Sequence, residues 1–277
     1  MDELRQEARA AWAIARKELQ VMLRYRLNAL NRVVQPIYQV LIPGILLGAT
    51  FAIGGEAVGL AETAGTTDIA GYLFLGMLAL TLASAGFWDV AFSLKTELDA
   101  GTLEPAWLTP TRRETFIIGQ TLAGMITAAV TTVILVGVGI LLFGADIAPQ
   151  LLVALPIIAL TAVGVLGIGY LVAAIVLRMK DANFFVDAAD FIFVALSGAA
   201  FPIVVLPDAV QWVSYLLPTT HALDLVRVSA LGTTPLLPAP VEWTMLVLTS
   251  VALLLLGRRA WLATEHRMRV LGTLGQH

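Results

Sequence analysis

Residues 115–177 read TFIIGQTLAGMITAAVTTVILVGVGILLF, then GADIAPQ, then LLVALPIIALTAVGVLGIGYLVAAIVL, and Asp146 is the only charged side chain among them. Each apolar run exceeds the roughly 20 residues that a helix needs to cross a bilayer core. The connector from Gly144 to Gln150 is short enough for a tight helical hairpin. Working outward, residues 33–53, 70–94 and 243–261 have the same character, and 188–206 is apolar but interrupted at Phe201-Pro202. The 277-residue chain is 58% hydrophobic and only 13% charged, with a mean hydropathy of +0.86. A soluble domain carries about 25% charge, so this chain lacks the polar surface of one. The expected fold is an all-α integral membrane protein with six transmembrane helices.

Basic residues orient the spans. Sixteen of the 17 lysines and arginines fall on one side: Arg5, Arg9, Arg16, Lys17, Arg24, Arg26 and Arg32 before the first span, then Lys95, Arg112, Arg113, Arg178, Lys180, Arg258, Arg259, Arg267 and Arg269. Only Arg227 lies opposite, among the acidic Glu56, Glu62, Asp68, Asp146, Asp208, Asp224 and Glu242. Both termini are therefore expected in the cytoplasm. The opening residues carry charge through to Arg32 with no short apolar core, unlike a signal peptide.

Three segments fit no simple bundle. Over 4–30, Trp12, Leu19, Leu23, Leu27 and Leu30 share a helical stripe, as in an amphipathic helix lying in the cytoplasmic interface. This helix is either a plain anchor or a surface that also touches a cytoplasmic partner. The loop 95–113 is too polar for lipid. Gly101 ends one short helix there, Pro105 or Pro110 limits the next, and Glu97 and Glu104 are expected to be exposed. That loop is either a solvated connection or a docking element. Residues 206–231 are too apolar for a free loop and too short for two crossings, which predicts short re-entrant outer helices bounded by Pro202, Pro207 and Pro218.

The chemistry of an enzyme is missing. No Gly-x-x-x-x-Gly-Lys-[Ser/Thr] phosphate loop, His-Glu-x-x-His or Gly-x-Ser-x-Gly occurs, so neither ATP hydrolysis through a phosphate loop nor hydrolytic catalysis is expected within the chain. The absence of cysteine removes disulfides and thiolate metal sites, and a net charge of −3 argues against nucleic acid. Asp89, late in the second span, is a costly intramembrane carboxylate that invites a functional reading. Asp187 and Asp190 share a helix face that suits a cation or, alternatively, form an acidic N-terminal turn. His221 and Asp224 have the same spacing and read as local hydrogen-bonding partners.

Two motif patches then point to a family. One is Glu97, Gly101, Thr102, Leu103, Glu104, Thr109 and Pro110; the other is Ser197, Gly198, Phe201, Pro202, Leu206, Pro207, Leu217, Pro218, Asp224 and Arg227. In this order, and from about Trp12 to Arg259, the chain resembles the membrane subunits of ABC exporters of the type-2 permease family. That family includes daunorubicin-type drug exporters and nodulation-factor, O-antigen and teichoic-acid exporters.

The resemblance implies a homo- or heterodimer of permeases in a prokaryotic plasma membrane, driven by separate ATPase subunits. ATP and Mg would then sit on the partner, with no cofactor in this chain. It assigns 1–32 to a connecting helix and 33–261 to the membrane domain, which holds a coupling loop at 95–113 and an outer segment at 206–231. The remainder, 262–277, is a cytoplasmic tail. Glu97, Gly101, Thr102, Leu103, Glu104 and Pro110 would couple to the ATPase. Asp89, Phe201, Pro202, Leu206 and Pro207 are placed on the translocation path by position alone. With 8% aromatic residues, an amphipathic drug or lipid stands ahead of a glycan-bearing substrate. A proton-coupled carrier relaying through Asp89, Asp187 and Asp190 is the alternative.

Overall fold

The computed structural model describes residues 2–38, 42, 46, 58–102, 105, 108–109, 111–143, 150–179 and 182–271. Every regular element among them is helical. In chain order these are α1 (Asp2–Arg24), α2 (Arg26–Pro36), α3 (Val58–Ala64) and α4 (Ile69–Asp99). Then come α5 (Arg113–Phe143), α6 (Gln150–Arg178), α7 (Ala182–Leu196), α8 (Asp208–Ser214), α9 (Pro218–Leu231) and α10 (Ala239–Leu271). By length and composition α4, α5, α6 and α10 can each cross a membrane. Most of the first apolar stretch, 33–53, lies outside the described residues, as does the connector 144–149.

The packing core lies between α4, α5, α6, α7 and α10. Phe87, Val90 and Leu94 of α4 meet Ile117 of α5, Val172, Val176 and Leu177 of α6, Phe193 of α7 and the fully buried Trp261 of α10. Phe87 and Phe193 close this cluster edge to face, with centroids 5.1 Å apart. Outside it, Trp212, Phe191, Leu256 and Val133 stay exposed on the surface, as expected where lipid rather than water is the solvent.

The helical segment expected over 4–30 is broken at Tyr25 (φ −99°, ψ 73°) into α1 and α2. Helix α1 packs on α5. It runs alongside the start of α5, with Glu3 on Arg112, Glu7 on Thr115 and Glu18 on Gln120. Its buried side is small, Ala11 and Ala15, and a Cβ at Gly119 would meet the Ala11 carbonyl at 2.8 Å. The apolar stripe through Trp12, Leu23, Leu27 and Leu30 faces outward instead.

The helix in the stretch expected as a fifth span, 188–206, ends before that stretch does. Helix α7 stops at Leu196, and the chain passes through Gly198 at φ +78° and Pro202 into a 3-10 turn at Ile203–Val205. Left-handed backbone of this kind costs an L-residue about 1–2 kcal/mol, so glycine belongs there. Asp187 and Asp190 consequently lie in the second and third turns of α7, not in an N-terminal turn. The two short helices expected after the break are present. Pro207 precedes α8, and Pro218 opens α9, where its missing N–H costs nothing. At the other end, α10 continues as helix through 262–271.

Arg227 on α9 holds the break together. Its guanidinium donates to the carbonyls of Gly198 (2.7 Å), Ala199 (2.9 Å) and Tyr72 (2.9 Å), and its carbon lies 3.4 Å from the Tyr72 ring centroid. His221 pairs with Glu242 of α10 at 2.5 Å and with the Tyr215 carbonyl at 2.8 Å, not with Asp224. Asp224 instead accepts the Leu236 N–H at 3.1 Å. One acid on a neighbouring helix, 21 residues away, outcompetes the local partner because it reaches the ring nitrogen directly.

Candidate functional site

The site is built on a wide turn in α4. Residues Ala85–Asp89 adopt π-helical hydrogen bonding within an otherwise α-helical span. Such turns are rare and frequent at functional sites, because the extra residue re-aims the side chains that follow. Here Ala85, Gly86 and Phe87 are buried, while Trp88 and Asp89 are turned into a polar cleft.

The cleft has two confluent chambers of about 420 and 670 Å³, and Arg32, Asp89, Phe92, Gly124 and Thr127 line both. Arg32 of α2 and Asp89 of α4 form an ion pair at 2.6 Å on that shared wall. The carboxylate fits because residue 124 has no side chain: a Cβ there would lie 2.5 Å from Asp89 Oδ2. Deeper in, the Trp88 indole N–H donates to Asp190 Oδ2 at 2.9 Å, and Asp187 lines the same chamber. Trp88 and Phe92 stack with centroids 5.4 Å apart. The smaller chamber is also lined by Lys17, Glu18 and Glu97.

Glu97 is not the free carboxylate expected of an exposed loop. It accepts from Lys17 of α1 and from the Thr102 hydroxyl, and its side chain is only 17% exposed. The reason is a Schellman cap on α4. The Thr102 N–H reaches the Glu97 carbonyl and the Gly101 N–H the Leu98 carbonyl, both at 3.0 Å, with Gly101 at φ +67°. The Glu-x-x-x-Gly-Thr motif thus has a physical content. Glycine turns the chain back, and threonine is delivered onto the glutamate that ends the helix. A Cβ at Gly101 would meet nothing within 4 Å, so the constraint is conformational. Gly101→Ala is expected to cost about 1 kcal/mol, read as a lower thermal midpoint of the purified chain.

Burial acts against the Lys17 ammonium, but its hydrogen bonds to Glu97 and Glu18 reverse that effect and hold its pKa above the ordinary lysine value. Lys17 therefore stays charged, and the clasp between α1 and the end of α4 persists at physiological pH. Glu18 extends the network to Gln120 (3.1 Å) and Ser93 (3.3 Å).

The residues singled out by sequence do not form one site. Asp89 lines the cleft and Glu97, Gly101 and Thr102 form the cap at its mouth, whereas Leu103, Glu104 and Pro110 lie outside the described residues. Phe201, Pro202, Leu206 and Pro207 line neither chamber. Pro202 borders a small void of about 30 Å³ with Asp224 and Arg227, and the Leu206 carbonyl accepts from Gln211 at 2.8 Å. Sequence reading missed Arg32, Trp88 and Gly124. Their partners lie far along the chain: Arg32 and Gly124 meet Asp89, and Trp88 meets Asp190, 102 residues away.

Comparison with known proteins gives the family. Nodulation protein J of Rhizobium meliloti (strain 1021) is 29% identical over 198 residues, covering 69% of this chain and 74% of that protein. Nodulation protein J of Sinorhizobium fredii (strain NBRC 101917 / NGR234) is 28% identical over 194 residues, covering 67% and 72%. Its counterpart in Rhizobium leguminosarum bv. viciae is 28% identical over 198 residues, covering 69% and 75%. The profile of the family described as ABC-2 type transporter matches residues 9–231, which takes in most of α1, the capped end of α4, the cleft and the broken α7. This chain is a multi-pass membrane protein that belongs to the ABC-2 type transporter family.

Proposed function

We propose that the chain is the membrane subunit of an ATP-driven exporter, working as a dimer with separate ATPase subunits that carry ATP and Mg. Six spans complete the permease: α4, α5, α6 and α10, the first apolar stretch at 33–53, and the broken α7. Both termini face the cytoplasm of a prokaryotic cell, and α8 and α9 dip back from the outer face. The observation that carries this reading is the clasp of Lys17 and Thr102 on Glu97. It joins the polar loop after α4 to α1 at the mouth of a cleft that continues to the Arg32–Asp89 pair. A partner pressing on residues 95–110 would move α1 and the cleft together. Coupling then requires that the partner bind the inward-open and outward-open forms with different free energies.

Intact-mass measurement of the chain co-expressed with its candidate ATPase tests the assembly. Two permeases with two ATPases support the reading. A chain that holds no ATPase in any nucleotide state overturns it and favours the carrier, since Asp89, Asp187 and Asp190 do line one chamber. The clasp has its own test. Lys17→Glu and Glu97→Lys are each expected to lower transport-stimulated ATPase activity about tenfold, with the double exchange restoring much of it. Wild-type coupling in both single variants would remove the clasp from the mechanism.

A further inference from the structure

Where α9 meets the start of α10, four ionisable side chains are almost wholly buried: His221 (0% exposed), Glu242 (1%), Asp224 (8%) and Arg227 (5%). Arg227 is spent on three carbonyls and the Tyr72 ring. The other three form a chain, His221 to Glu242 to Asp224, whose protons can be counted. His221 Nε2 lies 2.8 Å from the Tyr215 carbonyl oxygen. A carbonyl only accepts, so Nε2 carries a proton. In the neutral ring Nδ1 would then be an acceptor, yet it meets Glu242 Oε2 at 2.5 Å. That contact needs a proton of its own, on the ring or on the acid.

The next contact needs one as well. The Glu242 and Asp224 carboxyls lie within hydrogen-bonding reach of each other, and Glu242 Oε1 is buried without a hydrogen-bond partner. Two ionised carboxylates repel across such a contact, whereas one proton turns it into a hydrogen bond. Asp224 Oδ2 already accepts the Leu236 N–H at 3.1 Å. Among the described residues, the other groups facing the cluster are Tyr72 of α4, against Arg227, and Tyr215, whose ring stacks on His221 with centroids 6.2 Å apart. The stretch of α6 packed here, around Ile157, Leu160 and Gly164, and residues 232–238 carry no ionisable side chain. Asp224 also borders the void of about 30 Å³ beside Thr220, Thr233 and Arg227. That is room for about one water, so a proton leaving the acid pair has a polar way out.

We infer that His221, Glu242 and Asp224 form a buried proton-binding site, one proton in each of its two contacts, which latches α9 onto α10 and releases it as pH rises. Loss of the proton between Glu242 and Asp224 to solvent leaves two buried carboxylates opposed, with Arg227 already occupied, and their repulsion drives α9 away from α10. The inference rests on the six-span reading only for the side of the membrane concerned, the outer one. Helix α9, at 14 residues, is too short to cross a membrane. Burial raises the Asp224 carboxyl to about 7. Burial opposes the His221 imidazolium, but its bonds to Glu242 and to the Tyr215 carbonyl outweigh that and hold its pKa above the ordinary histidine value. Groups whose pKa rises on folding stabilise the fold fully below their unfolded values and lose that effect as pH climbs through the folded ones. Both groups therefore weaken the latch from mildly acidic to alkaline pH.

The test is the thermal midpoint of the full chain in detergent at about pH 6 and about pH 9. The wild-type midpoint is expected to be about 5 °C lower at the higher pH. Asp224→Asn sets a permanent N–H donor against Glu242 and keeps an oxygen for the Leu236 N–H. It is expected to hold the acid-side midpoint and to lose most of the alkaline fall. A carboxylate with a merely structural role would instead weaken the chain equally at both pH values, with the fall unchanged. Glu242→Gln, whose amide donates to Asp224, is expected to flatten the profile in the same way. An undiminished fall in the folded variants overturns the inference, as does a wild-type midpoint that does not fall. If neither variant folds, infrared difference spectra of the wild-type chain between the same two pH values decide. A protonated-carboxyl band lost on the alkaline side supports the site, and the lack of such a band overturns it. A flat profile in a chain that assembles with its ATPase removes the latch and leaves the exporter reading standing. A variant-sensitive fall in a chain that holds no ATPase keeps the latch and removes the exporter.

Discussion

Arg227→Met is expected to lower the thermal midpoint of the chain by on the order of 10 °C. Arg227 is 5% exposed, and its guanidinium donates to three carbonyls on two segments, Gly198 and Ala199 at the break after α7 and Tyr72 on α4. Methionine matches the length of the side chain but leaves those oxygens without donors. Each such loss costs about 1–3 kcal/mol. For a chain of this size that corresponds to several degrees per kcal/mol lost, roughly 2–4 °C each. Arg227→Lys is expected to recover only part of the difference, because one ammonium cannot reach three acceptors in the plane that a guanidinium fork provides. Size-exclusion profiles of detergent-solubilised protein after stepwise heating read both changes. A wild-type midpoint in Arg227→Met would mean that the break is held by the backbone and its prolines alone.

The second large effect is expected where α6 and α10 touch. A Cβ at Gly257 would lie 2.2 Å from the Gly167 carbonyl oxygen, and one at Gly167 would lie 2.6 Å from the carbonyl carbon and oxygen of Leu253. The obstacles are backbone atoms, so no rotamer change relieves them. Small residues permit this kind of approach between helices where no water is present to drive burial. Gly257→Val and Gly167→Val are each expected to destabilise by about 3 kcal/mol, at or above the usual range for overpacking. In detergent this appears as aggregated or poorly expressed protein. Gly137→Ala on α5 is the control, since a Cβ there meets nothing within 4 Å. It is expected to leave stability unchanged or to raise it slightly through helix propensity. Normal folding of Gly257→Val would show that α6 and α10 can separate without loss of the core around Trp261.

Hydropathy located α4, α5, α6 and α10 well because a membrane span is a one-dimensional signal. About 20 apolar residues in a row are needed, and no partner has to be known. It did not show where α7 ends, because residues 188–206 stay apolar after the helix has ended. The true stop at Leu196 is a backbone event, set by the left-handed Gly198 and by Pro202. The amphipathic stripe of 4–30 was also legible, but not the choice of face. The side that packs on α5 is the inconspicuous one of Ala11 and Ala15, because contact with Gly119 requires small residues.

The candidate site divides in the same way. Asp89 stood out in the sequence because a carboxylate in an apolar run is expensive wherever it points. Glu97, Gly101 and Thr102 stood out as a motif, and the Schellman cap explains their spacing locally, within six residues. Neither reading could supply Lys17 as the partner of Glu97, 80 residues away, or Arg32 and Gly124 as the partners of Asp89.

The sequence by itself therefore determined the solvent of this protein, its helical class, the positions of most spans and the caps that end them. Each of these depends on neighbours within a few turns. The tertiary structure alone decided which charges meet: Lys17 with Glu97, Arg32 with Asp89, Arg227 with the broken end of α7, and His221 with Glu242 instead of Asp224. The physical reason is that a buried charge must find a partner, and the partner is selected by which helices pack together. That selection rests on glycines and alanines whose only signal is the absence of a side chain.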